Sequence, residues 1–259
     1  MRHLFIPDTQ VKKGVPMDHL RALGNYIVEK KPDVIIHIGD HADMPSLSSY
    51  EKTGSKYFEN MRYRDDIEAS RLGMEILLEP MVRYNNMQKR NKKALYRPRM
   101  DLTLGNHEYR IQRTINDDPV KLEGLMSMSD LGYEEYGWTV HPFLHHVEID
   151  GVLYSHYHKN PNSPMGNPMG GTIQSKLNNM KQSFSNGHNQ MLQYGIAYTG
   201  SGRRLHGLQA GAFYMHDEGF MGLQGNKQHW RGVVVKNEVK DGQYDPCFVS
   251  MDYLLSNYQ

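Results

Sequence analysis

The sequence predicts an α/β fold, on three observations. Its first half alternates short apolar runs with stretches of helical periodicity, its second half is rich in strand-like runs and turn residues, and its overall composition is that of a globular protein. Hydrophobic residues make up 38% and charged residues 23%, which argues against both disorder and a membrane protein. At 259 residues the chain suits one large domain, 1–259, better than two.

In chain order, LFIPD is a short buried strand ending in Asp8, and helical spacing at Leu20, Leu23, Ile27 and Val28 predicts a helix from about Met17 to Lys30, stopped by Pro32. DVIIHIGD (33–40) is a second apolar strand, followed by a polar loop, DMPSLSSYEKTGS. Ile67, Leu72, Ile76, Leu77 and Val82 mark a long helix from about Arg64 to Lys93, with a break expected near Pro80. MDLTLG is a third strand, running into Asn106. Strands separated by helices pair in parallel through right-handed crossovers, so the ends of all three share one sheet edge, where a ligand sits.

After about Val140 the texture changes. HHVEIDGVLYSHY has an Asp-Gly turn between β-type runs, a hairpin signal, and 159–171 is a Pro, Gly and Asn-rich loop. Further strands are expected at about 194–199, 205–209, 231–235 and 247–252, with DGQYDP as the turn between the last two.

The formal net charge of +1 gives no whole-molecule field toward nucleic acid or anionic membrane. A single cysteine, Cys247, excludes an internal disulfide framework, fits a reducing compartment and is expected as a packed strand residue. The N-terminal apolar run before Asp8 is too short for a signal peptide, and no window has the length of a membrane span; a cytoplasmic protein is expected.

Polar residues gather at the strand ends: Asp8 with Gln10, Asp40 with Asp43, Asn106 with His107 and Glu108, His156, and His188 with Gln190. Singly, each Asp is a turn or cap residue and each His a hydrogen-bonded surface group. As an ordered set of carboxylates, an amide and imidazoles following apolar strands, they offer donors suited to a divalent metal.

The stretches PDTQ, IGDHAD, LGNHE, YSHYH and NGHNQ, spanning roughly Phe5 to Gln190, resemble in order the signature of the calcineurin-like metallophosphoesterase superfamily. GNHE following GDHAD at crossover distance is the most specific part. The resemblance implies a four-layer α/β/β/α sandwich, two mixed sheets flanked by helices, and a dinuclear metal centre. Asp40 bridges two metals; Asn106, His156 and His188 complete one site, with His158 a rival to His156; Asp8, Gln10 and Gln190 complete the other. His107 stands beside the scissile phosphate and Glu108 orients it. The implied activity is hydrolysis of a phosphate ester by a metal-activated water.

Two departures stand out. Both histidines that the family places in the first metal site, in Asp-x-His and in Gly-His-x-His, are here Gln10 and Gln190. Amide oxygens suit hard ions, so Mn²⁺ is favoured, with Mg²⁺, Zn²⁺, Fe²⁺ or Ni²⁺ as other occupants, in one tight site and one weaker one. The wording of GDHADMPSLSSY also looks like bacteriophage-encoded members of the family. A phosphodiesterase acting on a nucleotide or nucleic-acid end is the preferred substrate assignment. The alternatives are a phosphomonoesterase, on nucleotides or proteins, and a catalytically impaired nucleotide-binding protein keeping one metal.

Other residues carry weaker signals. Asp43 is balanced between supporting the site and an Asx turn or helix cap. The basic run KRNKKALYRPR (89–99) precedes the strand leading to Asn106 and is expected as a solvated surface at the opposite edge. Arg203 and Arg204 offer guanidinium groups for a phosphate. Lys12, Lys13 and Lys159 adjoin motif loops and are expected to be solvated; His206 and His216 are expected to be non-catalytic, and Met17 is core filler.

Overall fold

The computed structural model describes residues 1–49, 61–161, 168–218 and 222–259. Strand β1 (His3–Ile6) leads into helix α1 (Asp18–Lys30), strand β2 (Val34–His37), the long helix α2 (Tyr63–Arg90) and strand β3 (Arg99–Thr103). Helices α3 (Tyr109–Asp117) and α4 (Pro119–Leu122) follow, then β4 (Thr139–His141) and the hairpin of β5 (Val147–Ile149) and β6 (Val152–Tyr154). The remainder is α5 (Ile173–Met180), β7 (Ser183–Asn186), β8 (Leu192–Tyr198), β9 (Arg204–Ala210), α6 (Gly222–Gln228), β10 (Gly232–Lys240), β11 (Gln243–Ser250) and α7 (Met251–Asn257).

These elements build two mixed sheets flanked by helices. The first has the order β11-β10-β1-β2-β3-β4, parallel from β1 through β4 and antiparallel where β10 meets β1 and β11. The second has the order β5-β6-β7-β9-β8, with β6, β7 and β9 parallel. Alternation along β1 divides the core: Leu4 and Ile6 pack with Leu20, Leu23 and Ile27 of α1 and Leu77 of α2, while Phe5 faces Tyr154 and Leu208 of the second sheet. On the outer face of the second sheet Leu177 of α5 packs on Phe184 and Leu205.

The expected hairpin is present, its turn made by Asp150 and Gly151, both at positive φ, as a two-residue turn between twisted strands requires. Four expectations need correction. Helix α2 is not broken at Pro80 but runs through it, the ring lying in the α1–α2 crossing beside Gly24. Leu72 and Val82 of that helix are exposed, since the buried stripe runs through Met74, Leu77 and Leu78. The turn at DGQYDP is confined to Asp241 and Gly242, and the strand continues through Pro246 because β11 is an edge strand, where a missing N–H is tolerated. That edge position also leaves Cys247 exposed rather than packed. The strand ends at Ser250, whose side chain caps α7. Residues 50–60, which include the end of the first expected loop, and 162–167, within the second, lie outside the described residues.

Candidate metal centre

The parallel order of β1, β2 and β3 brings Asp8, Asp40 and Asn106, each just beyond its strand, to one edge of the first sheet; β6 and β7 bring His156 and His188 to the same place from the second. His156 Nε2 lies 2.9 Å from Asn106 Oδ1 and 3.2 Å from Asp40 Oδ2, and His188 Nδ1 lies 2.8 Å from the same Asn106 oxygen. One ligand-capable atom each from Asp40, His156 and His188 falls within 4.8 Å of the others. His156 Nδ1 lies 2.8 Å from the Ile38 carbonyl, which can only accept, so Nδ1 carries the proton and Nε2 faces the group. These buried Asp and His side chains can hold a metal ion.

Electrostatics divide the two carboxylates. Burial alone raises both; at Asp40 the adjacent His107 and His156 outweigh it and hold the carboxyl well below its ordinary range. Asp8, fully buried and close to Asp40, is pushed up to about 7, chiefly by burial. Burial opposes charge on His156, yet Asp40 raises it to about 9, while burial and His156 lower His188 to about 4. Two carboxylates so crowded are relieved by a cation.

The backbone is tightly drawn here. Gln10, Asp40, His188 and Gln190 all sit at positive φ (38°, 48°, 72° and 59°), a left-handed conformation that costs a non-glycine residue roughly 1–2 kcal/mol and concentrates at functional sites. Gly105 and Gly187 are needed for close approach: a Cβ on either would run into a carboxylate oxygen, of Asp40 and Asp8 respectively. The Asp8 carboxylate accepts from the His188 N–H (3.1 and 3.2 Å), and Asp40 Oδ1 from the His107 N–H (2.9 Å).

His107 stands at the rim, its Nδ1 2.8 Å from Asp43 Oδ1 and its Nε2 3.7 Å from Asp40 Oδ2. Here the assignment of Glu108 as the group orienting His107 is corrected. The buried Glu108 carboxylate accepts from the N–H groups of Asp40 (2.9 Å), His41 (2.6 Å), Ala42 (3.1 Å) and Gly105 (2.9 Å), and from the Tyr133 hydroxyl (3.3 Å). It ties the two motif loops together, and Asp43 is what meets the imidazole. Asp43 is therefore no helix cap: the following turn, Pro45–Leu47, has no side-chain cap. Arg110, unremarked in the sequence, lies 3.3 Å from His107 Nε2 and donates to the carbonyls of Asp43 (2.8 Å) and Met44 (3.2 Å).

Gln10 is buried, and its Oε1 has no hydrogen-bond partner among the described residues, an orphaned acceptor beside Asp8 in sequence and a fit for a cation. Gln190 Oε1 accepts from the Tyr214 hydroxyl (3.0 Å). His158 is not brought to the group: it is buried against Phe184, its Nδ1 3.3 Å from His146 Nε2. Arg203 and Arg204 lie at the opposite end of β9 from Ala210, bonded to Asp241 and Gln243, and do not reach the site. The basic run 89–99 lies, as expected, at the entry end of β3. Lys12 is ion-paired rather than solvated, 2.7 Å from Asp43 and 3.1 Å from Glu218, and His216 meets the same Glu218 at 2.7 Å. Asp43, His216 and Glu218 form a second group able to hold a metal, one that no sequence spacing announces.

No family model matches the chain, and no curated protein matches it. Among solved structures 42 chains match; one aligns over 96% of this chain and 99% of its own, with 12% identity and a TM-score of 0.41. Similarity at that level identifies neither a family nor an activity. Among the described residues no helix is long and apolar enough to cross a membrane.

Proposed function

We propose that this protein is a metal-dependent phosphoesterase with the four-layer metallophosphoesterase architecture, acting on a phosphodiester of a nucleotide or nucleic-acid end. The observation that carries this is the convergence of Asp40, Asn106, His156 and His188 from the loops of two sheets, with His107 at its rim. Asp40, Asn106, His156 and His188 would hold the tight metal, Mn²⁺ by preference; Asp8, Gln10, Asp40 and Gln190 would hold the weaker one. Divalent ions there supply Lewis acidity toward a phosphoryl oxygen and acidify water.

The chain's own groups do the rest. His107, with its pKa raised by Asp40 and Asp43 against the effect of burial, would offset charge on a phosphoryl oxygen or donate a proton to the leaving oxygen. Asp43 fixes its ring, and Glu108 fixes the loop that carries Asp40. The Gln10 oxygen, without a partner among the described residues, favours a second ion; the Gln190 oxygen, already bonded to Tyr214, favours a looser one. Calorimetric titration with Mn²⁺ should therefore give one tight and one weaker event, whereas two equally tight sites would contradict the assignment. Turnover of bis-p-nitrophenyl phosphate in preference to p-nitrophenyl phosphate supports a diesterase, and the reverse order makes the enzyme a monoesterase. Tight nucleotide binding without turnover under any metal would leave only a binding protein.

A further inference from the structure

Three aromatic rings run outward from the candidate metal centre. Tyr157, next to His156 in sequence, has its ring centroid 4.9 Å from that of His188 and 6.0 Å from that of His156. Phe143 meets Tyr157 edge-on at 5.5 Å, and Tyr109 stacks on Phe143 at 4.9 Å with 29° between planes. The rings come from three segments: the start of α3, the loop after β4 and the loop after β6. None belongs to the hydrophobic clusters that hold the sheets and helices together. Tyr109 is 39% exposed, so the line begins beside the buried His156 and the half-buried His188 and ends at solvent.

Two tyrosines and a phenylalanine thus form an aromatic strip continuous with the polar site, Phe143 also lying 6.3 Å from the His156 ring. We propose that Tyr109, Phe143 and Tyr157 form a stacking platform for a nucleobase whose phosphate lies at Asp40, His156 and His188. This rests on the phosphoesterase assignment only for the position of the phosphate. A nucleotide carries its base beyond the sugar, so a phosphate held at the histidines directs the base out along these rings. Every base has a π-face, so stacking of this kind favours nucleotides over sugar phosphates without choosing among bases.

The test is calorimetric binding of adenosine 5′-monophosphate, ribose 5-phosphate and phenyl phosphate to the Mn²⁺-loaded protein. Adenosine 5′-monophosphate should bind about tenfold or more tightly than ribose 5-phosphate, the range of one stacked base. Phe143→Leu, which keeps apolar volume and loses the π-face, and Tyr109→Ala should each remove most of that advantage. Tyr198→Ala, at the far end of β8, should leave it unchanged. Equal affinity for the two ligands, or an advantage indifferent to Phe143 and Tyr109, overturns the platform. Phenyl phosphate binding as tightly as the nucleotide overturns the nucleobase in favour of an aryl ester. Turnover of bis-p-nitrophenyl phosphate, measured alongside, reports the hydrolase assignment separately: turnover without base preference sinks only the platform, and base preference without turnover sinks only the hydrolase.

Discussion

At Gly105 the absence of a side chain is what admits the Asp40 carboxylate, since a methyl there would overlap Oδ1. Gly105→Ala should weaken Mn²⁺ binding at least about tenfold, the scale of a displaced supporting group, while circular dichroism stays native. Unchanged affinity would mean that the loop relaxes without moving Asp40. Asp43 makes a different claim, because it touches His107 and not the Asp40, Asn106, His156 and His188 group. Asp43→Asn, which loosens the His107 ring, should lower kcat about 10²-fold, the lower end for loss of a proton-transferring group, with Mn²⁺ affinity at the Asp40, Asn106, His156 and His188 group nearly constant. A parallel fall in affinity would make Asp43 a ligand instead. Asp40→Asn and Asn106→Ala should each abolish turnover without unfolding the chain. IGDHAD and LGNHE were legible because each motif packs its chemistry into consecutive residues. The contact of His107 with Asp43 was not, because 64 residues separate partners that only the β2 and β3 loops bring together.

One side chain makes most of the hydrogen bonds that join the loops after β2 and β3. Glu108 accepts four backbone N–H groups, three from the first loop and one from its own, so the two motifs form one unit. Glu108→Ala leaves these buried donors unpaired and should cost at least about 3 kcal/mol, visible as a lowered urea midpoint; a loss under about 1 kcal/mol would show that water replaces the carboxylate. The crossing of α1 on α2 is similarly close at Gly24, where a Cβ would strike the Leu77 carbonyl and the Pro80 ring. Periodicity exposed α1, α2 and the first three strands because their apolar residues repeat. It could not expose β7, whose SFSN carries one apolar residue and is defined by its neighbours β6 and β9. Pro80 misled for the same reason, since its place in the helix depends on what packs against its ring.

Across the whole molecule, buried neutral histidines set the response to acid. Burial lowers His3 and His41 to about 4 and His19 and His158 to about 3. Between about 6.5, the unfolded value, and these folded values the unfolded chain binds more protons, so stability rises with pH; it is fully present above about 6.5 and lost as pH falls toward 4. Asp8, raised to about 7, Asp66, raised to about 6, His156, raised to about 9, and the raised Glu108 and His107 pull the other way over part of the range from pH 5 to 7.5, but the histidines lowered by burial, which also include His37, His146, His188, His206 and His229, are more numerous. The urea midpoint should be lower at pH 5 than at pH 7.5, and an equal or higher midpoint would show that these histidines take up protons without unfolding. At this scale the sequence disclosed two halves of different texture and an ordered set of metal-suited residues. The preference for His156 over His158 rests on where the apolar run GVLYS stops, and it is His156 that meets Asp40 and Asn106 while His158 packs on Phe184. The most direct test is hydrolysis of bis-p-nitrophenyl phosphate by metal-stripped protein re-supplied with Mn²⁺, Mg²⁺, Zn²⁺, Fe²⁺ or Ni²⁺, beside Asn106→Ala. Metal-dependent turnover, greatest with Mn²⁺ and lost in the variant, is the predicted result; no turnover with any metal, or turnover that survives Asn106→Ala, would contradict it.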